Sequence, residues 1–132
     1  MATGFTRKEA SAILKSRISG CYVALSTTTP NQDGGNFAEP ASATGYQRQN
    51  IGELDDTKEG QIANKNRIFL FEAEQDAGSI THVGLSRIPD RGGEIFLMAE
   101  VTPPLSVTTG YVPLIRPHGL VIGLDKDVLD PY

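Results

Sequence analysis

The chain has 132 residues, 39% of them hydrophobic and 21% charged, which fits a single domain over residues 1–132 with a buried core and excludes bulk disorder. The net charge is −4 and the 12 basic residues are scattered, so we expect no nucleic-acid groove, and no apolar run of about 18 residues predicts a membrane span. The chain has one cysteine, Cys21, so an internal disulfide is excluded. One cysteine and two histidines in the whole chain are too few for a structural zinc site, and we expect no metal and no cofactor.

The first predicted element is a helix over residues 6–18. Thr6 and Glu9 have the spacing of a capping box. One face carries the apolar residues Ala10, Ile13, Leu14 and Ile18. Because this face is small, we expect the helix to pack on its own domain or on a neighbouring subunit rather than on a membrane surface. The N-terminal segment MATGFTRKEA lacks the apolar core of a signal peptide, which favours a protein made in a cytoplasm and not exported.

A strand is predicted from Cys21 onward, where side chains alternate with the period of two that is typical of a half-buried strand. Cys21 itself is predicted to be a small buried residue at the start of this strand. Residues 29–44 follow as an exposed loop rich in small and turn-forming residues. The segment GYQRQNI then resumes an extended pattern, in which Tyr46 and Arg48 share one strand face. An arginine at such a position makes either a fixed ion pair or an interface contact.

Residues 52–66 are polar and acidic, and they are predicted to form a second solvated loop. Carboxylates at this density could bind Ca²⁺, but the spacing of an EF-hand is absent. Apolar runs between turn residues predict further strands at 68–71, 80–88, 94–101 and 120–124, and an edge strand or extended arm at 111–117. We expect 68–71 to be buried on both faces and 94–101, the most apolar run, to be central. Pro103 and Pro104 predict a break after that strand and exclude a central strand there.

Short strands with turn signals between them predict the fold class. The expectation is an all-β, antiparallel β-sandwich or barrel-like domain over residues 21–125, with one short N-terminal helix and a C-terminal tail at 126–132.

No combination of side chains in the sequence predicts catalysis. His82 lies within a predicted strand, where a hydrogen-bonded structural histidine is more typical than a general base. His118 lies on a turn without the further ligands that a metal ion needs. The hydroxyls from Ser26 onward lack the Gly-x-Ser-x-Gly elbow of a serine nucleophile. We therefore expect a protein that is not an enzyme.

Five segments stand in a fixed order along the chain: YVALSTTTPN, GYQRQNI, QIANKNRIFLFEAE, GSITHVGLSR and EIFLMAEVTPPLSV. This order resembles a group of small virion structural proteins of tailed bacteriophages, variously called tail, tail-fibre or head-fibre proteins. The resemblance covers nearly the whole chain after Gly20. The acidic segment after Ile51 and the C-terminal residues KDVLDPY depart from the pattern of that family.

The resemblance implies a non-enzymatic structural component of a phage virion, seated on the tail, neck or capsid surface and made in the host bacterial cytoplasm. Its partners would be copies of itself and other virion proteins, without nucleic acid or membrane. The candidate interface residues are Tyr46, Arg48, Tyr111 and Tyr132, and the candidate contact arms are residues 29–44, 52–66 and 129–132.

Three alternatives stay open, and a cellular chaperone or regulator is the last of them. The first is a phage-borne module that binds a host-surface receptor or glycan. The absence of Trp argues against it, although Tyr46 or Tyr111 could provide an aromatic platform. The second is a small hydrolase or metal-dependent enzyme that would use His82.

Overall fold

The computed structural model describes residues 6–58 and 60–123. This part of the chain is mostly β-structure in antiparallel sheets with one α-helix, which confirms the predicted all-β class with a short N-terminal helix. The chain divides into two compact units. Unit 1 comprises Met1–Ser19, Ile51–Ile68 and Ile115–Tyr132, and unit 2 comprises Gly20–Asn50 and Phe69–Leu114. The single domain over residues 1–132 stays a prediction.

The helix and strands have the following bounds. Helix α1 spans Arg7–Ile18. The strands, in chain order, are β1 (Tyr22–Ser26), β2 (Gln49–Asn50), β3 (Leu54–Asp55), β4 (Gln61–Asn64), β5 (Ile68–Phe69), β6 (Gly78–Ser86), β7 (Ile95–Val107), β8 (Leu114–Ile115) and β9 (Val121–Gly123). Across the described residues, no helix is long and apolar enough to cross a membrane.

Helix α1 belongs to unit 1 and begins directly after Thr6, the residue that the capping box predicted as its N-cap. The Thr6 side chain accepts a hydrogen bond from the Glu9 backbone N–H at 3.1 Å, which satisfies one of the free donors of the first turn. The helix buries Ala10, Leu14 and Ile18 and packs against β4. The predicted helix over residues 6–18 is therefore confirmed, with Thr6 as its cap.

Unit 1 also contains a three-stranded antiparallel sheet in the order β3-β4-β9. This sheet corrects the prediction that residues 52–66 form a solvated loop. The central strand β4 buries Ile62, Ala63 and Asn64, and Asn64 is 0% exposed. Polar residues flank this short apolar stretch in the sequence, so the local pattern does not predict its burial. The strand becomes central only through pairing with distant residues.

Unit 2 contains a four-stranded antiparallel sheet in the order β2-β1-β6-β7. Strand β1 pairs on both sides, with Tyr22 opposite Asn50 and also opposite Ser86. All of its residues after Tyr22 are buried, so β1 is covered on both faces rather than half-buried as the alternation predicted. Cys21 is buried next to it, as expected.

Strand β7 differs from its prediction in position and in length. The run 94–101 was expected to be central, but β7 lies at the end of the sheet order and continues for 13 residues through Pro103 and Pro104. Prolines lack the N–H that a neighbouring strand would use, so an edge strand tolerates them. Glu100 lies opposite His82 and Leu105 opposite Ile80, which leaves the four residues 101–104 bulged against Thr81.

Strands β5 and β8 form a separate two-stranded sheet. The prediction that residues 68–71 are buried on both faces is wrong at one position, because Phe69 is 58% exposed while its neighbours Ile68 and Leu70 are buried. The predicted strand 111–117 shortens to β8, and the predicted strand 120–124 is β9, which pairs with β4. The predicted tail at 126–132 lies outside the described residues.

Candidate interaction site

A buried ion pair joins Arg48 to Glu39 in unit 2. The two side chains are 1% and 4% exposed. Arg48 Nε donates to both carboxylate oxygens of Glu39, at 3.2 and 3.3 Å, and Arg48 Nη2 donates to Oε1. Arg48 also donates to the carbonyl oxygens of Ile88 at 3.2 Å and Gly93 at 2.9 Å. One guanidinium therefore holds the loop at Glu39 against the turn between β6 and β7.

Tyr46 extends this network to β1. Its phenolic oxygen accepts a hydrogen bond from the Leu25 N–H at 3.1 Å and donates one to Glu39. Burial raises the pKa of Tyr46, so the hydroxyl remains protonated and available as a donor. Burial alone would raise the pKa of Glu39, but the hydrogen bonds from Arg48 and Tyr46 leave it below its ordinary value. The carboxylate is therefore charged and fully paired.

The four candidate interface residues separate in the structure. Tyr46 and Arg48 lie together inside unit 2, only 7% and 6% exposed, where their polar groups are used within the unit. They stabilise the fold and offer little surface to a partner. Tyr111 is 42% exposed and stays a candidate for contact. Tyr132 lies outside the described residues, as does the candidate arm 129–132.

The predicted loop 29–44 is folded onto its own unit instead of extending as an arm. The Thr27 N–H donates to the Ala38 carbonyl at 2.9 Å, and the Thr28 hydroxyl donates to the Asn36 carbonyl at 2.6 Å. The half-buried Phe37 then lies over Gly84 in β6, where an added Cβ would come within 3.0 Å of the ring. These contacts make the loop a fixed surface of unit 2.

An apolar ribbon is the most exposed hydrophobic feature of unit 2. The Leu70 N–H donates to the Pro113 carbonyl at 3.0 Å, and the Gly110 N–H donates to the Ala73 carbonyl at 2.7 Å. Leu70 is bonded to Pro113 and the later residue Ala73 to the earlier residue Gly110, so the segments 70–73 and 110–113 run antiparallel. The exposed apolar side chains of this ribbon are Phe69, Tyr111, Val112 and Leu114, which are 58%, 42%, 40% and 40% exposed. Exposed apolar groups that cluster in this way mark contact sites.

Unit 1 has a pocket of about 370 Å³ beside a tight turn at residues 116–119. Pro117 and His118 occupy the middle of this turn, and His118 has a positive φ of 60°. His118 is held there because its N–H donates to the Asn64 carbonyl at 2.8 Å and its Nε2 contacts Asp55 Oδ2 at 2.7 Å. The pocket is lined by Asp55, Thr57, Lys58, Gln61, Ile62, Ala63, His118 and Val121.

The sequence did not predict the contacts of the buried ion pair in unit 2 or of the turn beside the pocket in unit 1. Glu39 carried no signal beyond being an acid in a small-residue loop, and Asp55 was counted only as part of an acidic segment. The exposure of Phe69 was hidden in a run of apolar residues. His82, the histidine of the enzyme alternative, lies in β6 with its Nδ1 2.9 Å from the Thr81 hydroxyl. Among the described residues, no three His, Cys, Asp or Glu side chains cluster in a way that could hold a metal ion.

A comparison with known families identifies the class of protein that this β-rich chain represents. Residues 10–123 match the family described as podophage GP4 fiber I protein gp80. The match covers most of the chain, so the chain belongs to this family. It is therefore a phage fibre protein, a structural component of the virion that associates with other virion proteins. The predicted resemblance to phage virion structural proteins is confirmed at this level. No curated protein matches the chain.

Proposed function

We propose that this fibre protein is a non-enzymatic assembly subunit that forms homo-oligomers on the tail, neck or capsid surface of its phage. The observation that carries the proposal is that the polar groups of Tyr46 and Arg48, two of the candidate functional residues, are hydrogen-bonded inside their own unit. Together with Glu39, these two residues form a buried hydrogen-bond network that fixes a loop and a turn. Such a network stabilises one surface shape, which is what a repeating structural subunit requires.

The position of the subunit on the particle is tested by labelling it. Gold-labelled antibody raised against the purified chain is applied to intact virions and viewed by negative-stain electron microscopy. We expect gold at one fixed site on each particle, on the tail, at the neck or on the capsid surface. Gold only on free protein in the lysate, with clean particles, would contradict the proposal.

A second candidate is a module that binds a host receptor or surface glycan, and the exposure of Tyr111 favours it. An exposed aromatic ring can stack on the apolar face of a sugar. Phage carrying Tyr111→Ala would then adsorb more slowly to host cells although the subunit is still incorporated. Phage carrying Ile88→Ala, which changes an exposed apolar residue elsewhere in unit 2, is the matched control. Equal adsorption of both phages would favour the purely structural role.

A further inference from the structure

The pocket of unit 1 is held open by two buried polar side chains. The side-chain amide of Asn64 donates to the Arg116 carbonyl at 2.9 Å and accepts from the Leu120 N–H at 2.9 Å. The buried hydroxyl of Ser11 accepts from the Gly60 N–H at 2.7 Å. These contacts fix the turn before β9 and the turn between β3 and β4, which both contribute to the lining. A pocket with fixed walls loses little conformational entropy when it binds a ligand.

His118 lines this pocket in a backbone conformation that few residues adopt. Its φ of 60° lies in the left-handed region, where residues other than glycine are uncommon. Its side chain is 56% exposed, so core packing does not require this conformation. Residues held in such conformations concentrate at functional sites. The exposed imidazole is therefore a candidate for contact with a ligand.

The contact between His118 and Asp55 leaves hydrogen-bonding positions open. Asp55 Oδ1 accepts from the N–H and the hydroxyl of Thr57, at 2.8 and 2.7 Å, which fills both of its lone pairs. Asp55 Oδ2 accepts only from His118 Nε2, at 2.7 Å, so one lone pair remains. Because an ionised carboxylate cannot donate, Nε2 carries the hydrogen. In the described part of the chain, His118 Nδ1 has no hydrogen-bond partner.

The charges that line the pocket cancel. Asp55 contributes one negative charge and Lys58 one positive charge, while Thr57 and Gln61 are neutral. A charged ligand would therefore be attracted by one of the two charges and repelled by the other. A hydroxyl group suits the lining better, because it donates to Asp55 and His118 and accepts from Lys58 and Gln61.

We propose that this pocket binds a neutral sugar residue. A sugar ring carries hydroxyls around its edge and C–H groups on its faces, so it matches both the polar positions and the exposed methyl groups of Val121, which is 52% exposed. The volume of about 370 Å³ accommodates one ring. The inference goes beyond the assembly role and gives the glycan-binding candidate a site in unit 1, whereas Tyr111 belongs to unit 2.

The test follows the backbone amides of the full chain by amide proton–nitrogen correlation NMR. The chain is titrated with D-glucose, D-galactose, D-mannose or N-acetyl-D-glucosamine, each up to about 100 mM, a range that detects weak binding. At least one of these neutral sugars should shift the signals of Thr57, Lys58 and Gln61 until they saturate. The uronic acid and the amino sugar of the same ring should bind about threefold more weakly or worse, because each adds a charge without a free partner in the lining.

Two variants test the site without removing its buried supports. His118→Gly removes the imidazole, but glycine adopts the same φ without strain, so the turn should be kept. It should weaken binding by about fivefold, because a hydrogen bond to the sugar is lost. Val121→Asp should weaken it by about tenfold or more, because it replaces an apolar contact by a second negative charge.

Val112→Asp is the matched control, because Val112 is an exposed valine of unit 2, 40% exposed. It should leave the affinity for the sugar unchanged. The amide spectrum of each variant without sugar establishes that the fold is retained. Polysaccharide purified from the host surface is then added in competition with the sugar. Displacement assigns the ligand to a host glycan and its absence assigns it to a free sugar, and both outcomes support the site.

Three results would overturn the sugar site: no saturable shift with any of the four neutral sugars, tighter binding of the charged analogues, or an unchanged affinity in both His118→Gly and Val121→Asp. Shifts confined to residues of unit 2 would also overturn it. None of these results removes the chain from the virion, so a failure of this inference is distinct from a failure of the assembly role, which particle labelling tests.

Discussion

At the residue scale, Arg48 makes a fixed ion pair with Glu39, which is one of the two roles expected for a strand arginine beside a tyrosine. Moving two charges out of water is costly, and the cost is offset only when each hydrogen-bonding position is filled. Here the guanidinium bonds to a carboxylate and to two backbone carbonyls, and the carboxylate also accepts from Tyr46. The result is a rigid junction within unit 2.

Replacing Arg48 by Met should lower the free energy of unfolding by about 3–5 kcal/mol, because the change leaves a buried carboxylate without its partner. Urea denaturation at neutral pH measures the loss. The double variant Arg48→Met with Glu39→Leu removes both charges and should recover much of the stability, since a well-packed apolar pair can replace a buried ion pair. A stability of Arg48→Met within about 0.5 kcal/mol of wild type would contradict this role.

Asp55 makes the stability of the protein depend on pH. The hydrogen bonds from the Thr57 hydroxyl and N–H, together with that of His118, hold the pKa of Asp55 well below its usual range. A carboxyl whose pKa is lower in the folded state stabilises the fold above its unfolded value of about 4, and this contribution is lost as the pH falls below that value.

The stability difference between wild type and Asp55→Asn should therefore be present at about pH 6 and shrink toward about pH 2.5. Urea denaturation of both proteins at the two pH values measures it. The effect should be small, because Asp55 is at the surface and solvent screens the charge. An equal difference at both pH values would show that Asp55 acts through its shape alone.

At the scale of elements, the loop at residues 29–44 depends on a missing side chain in the neighbouring strand. Phe37 and Ile95 both approach Gly84 in β6, where an added Cβ would lie 3.0 Å from the ring of Phe37 and 2.8 Å from Ile95 Cγ2. Both distances are shorter than packed carbon atoms normally allow. Glycine at position 84 therefore lets the loop close over the sheet.

Gly84→Ala should destabilise the protein by about 1–3 kcal/mol, because the added methyl group forces the loop or Ile95 to move. Gly123→Ala in β9 is the matched control, since its added Cβ would meet only ordinary contacts at 3.5 and 3.6 Å. Thermal and urea denaturation compare the two variants, and limited proteolysis reports opening of the loop. Equal effects of the two substitutions would mean that Phe37 does not pack as described.

Elements whose signals are local were predictable from the sequence, and elements defined by distant pairing were not. The capping box located α1, and the alternation in YVALS located β1. The edge position of β7 and the central position of β4 depend on partners far along the chain. Composition alone therefore predicted a central strand for β7 and a solvated loop for the residues of β4. Likewise, Tyr46 and Arg48 were placed on a common face, but their partner Glu39 lies in a loop without a periodic pattern.

At the scale of the whole molecule, the chain combines two units with different charge, and each unit has its own exposed feature. Unit 2 has the apolar ribbon at Phe69, and unit 1 has the pocket at Lys58 and Val121. Exposed apolar features of this kind are typical of surfaces that contact a partner.

The most direct test is quantitative peptide mass spectrometry of gradient-purified virions, from wild-type phage and from phage lacking the gene for this chain. A structural fibre component should be present in the wild-type particles at a fixed number of copies relative to the major capsid protein, and the deletion should remove it together with its appendage. A chain found in the infected-cell lysate but absent from purified particles would contradict its assignment as a virion fibre component.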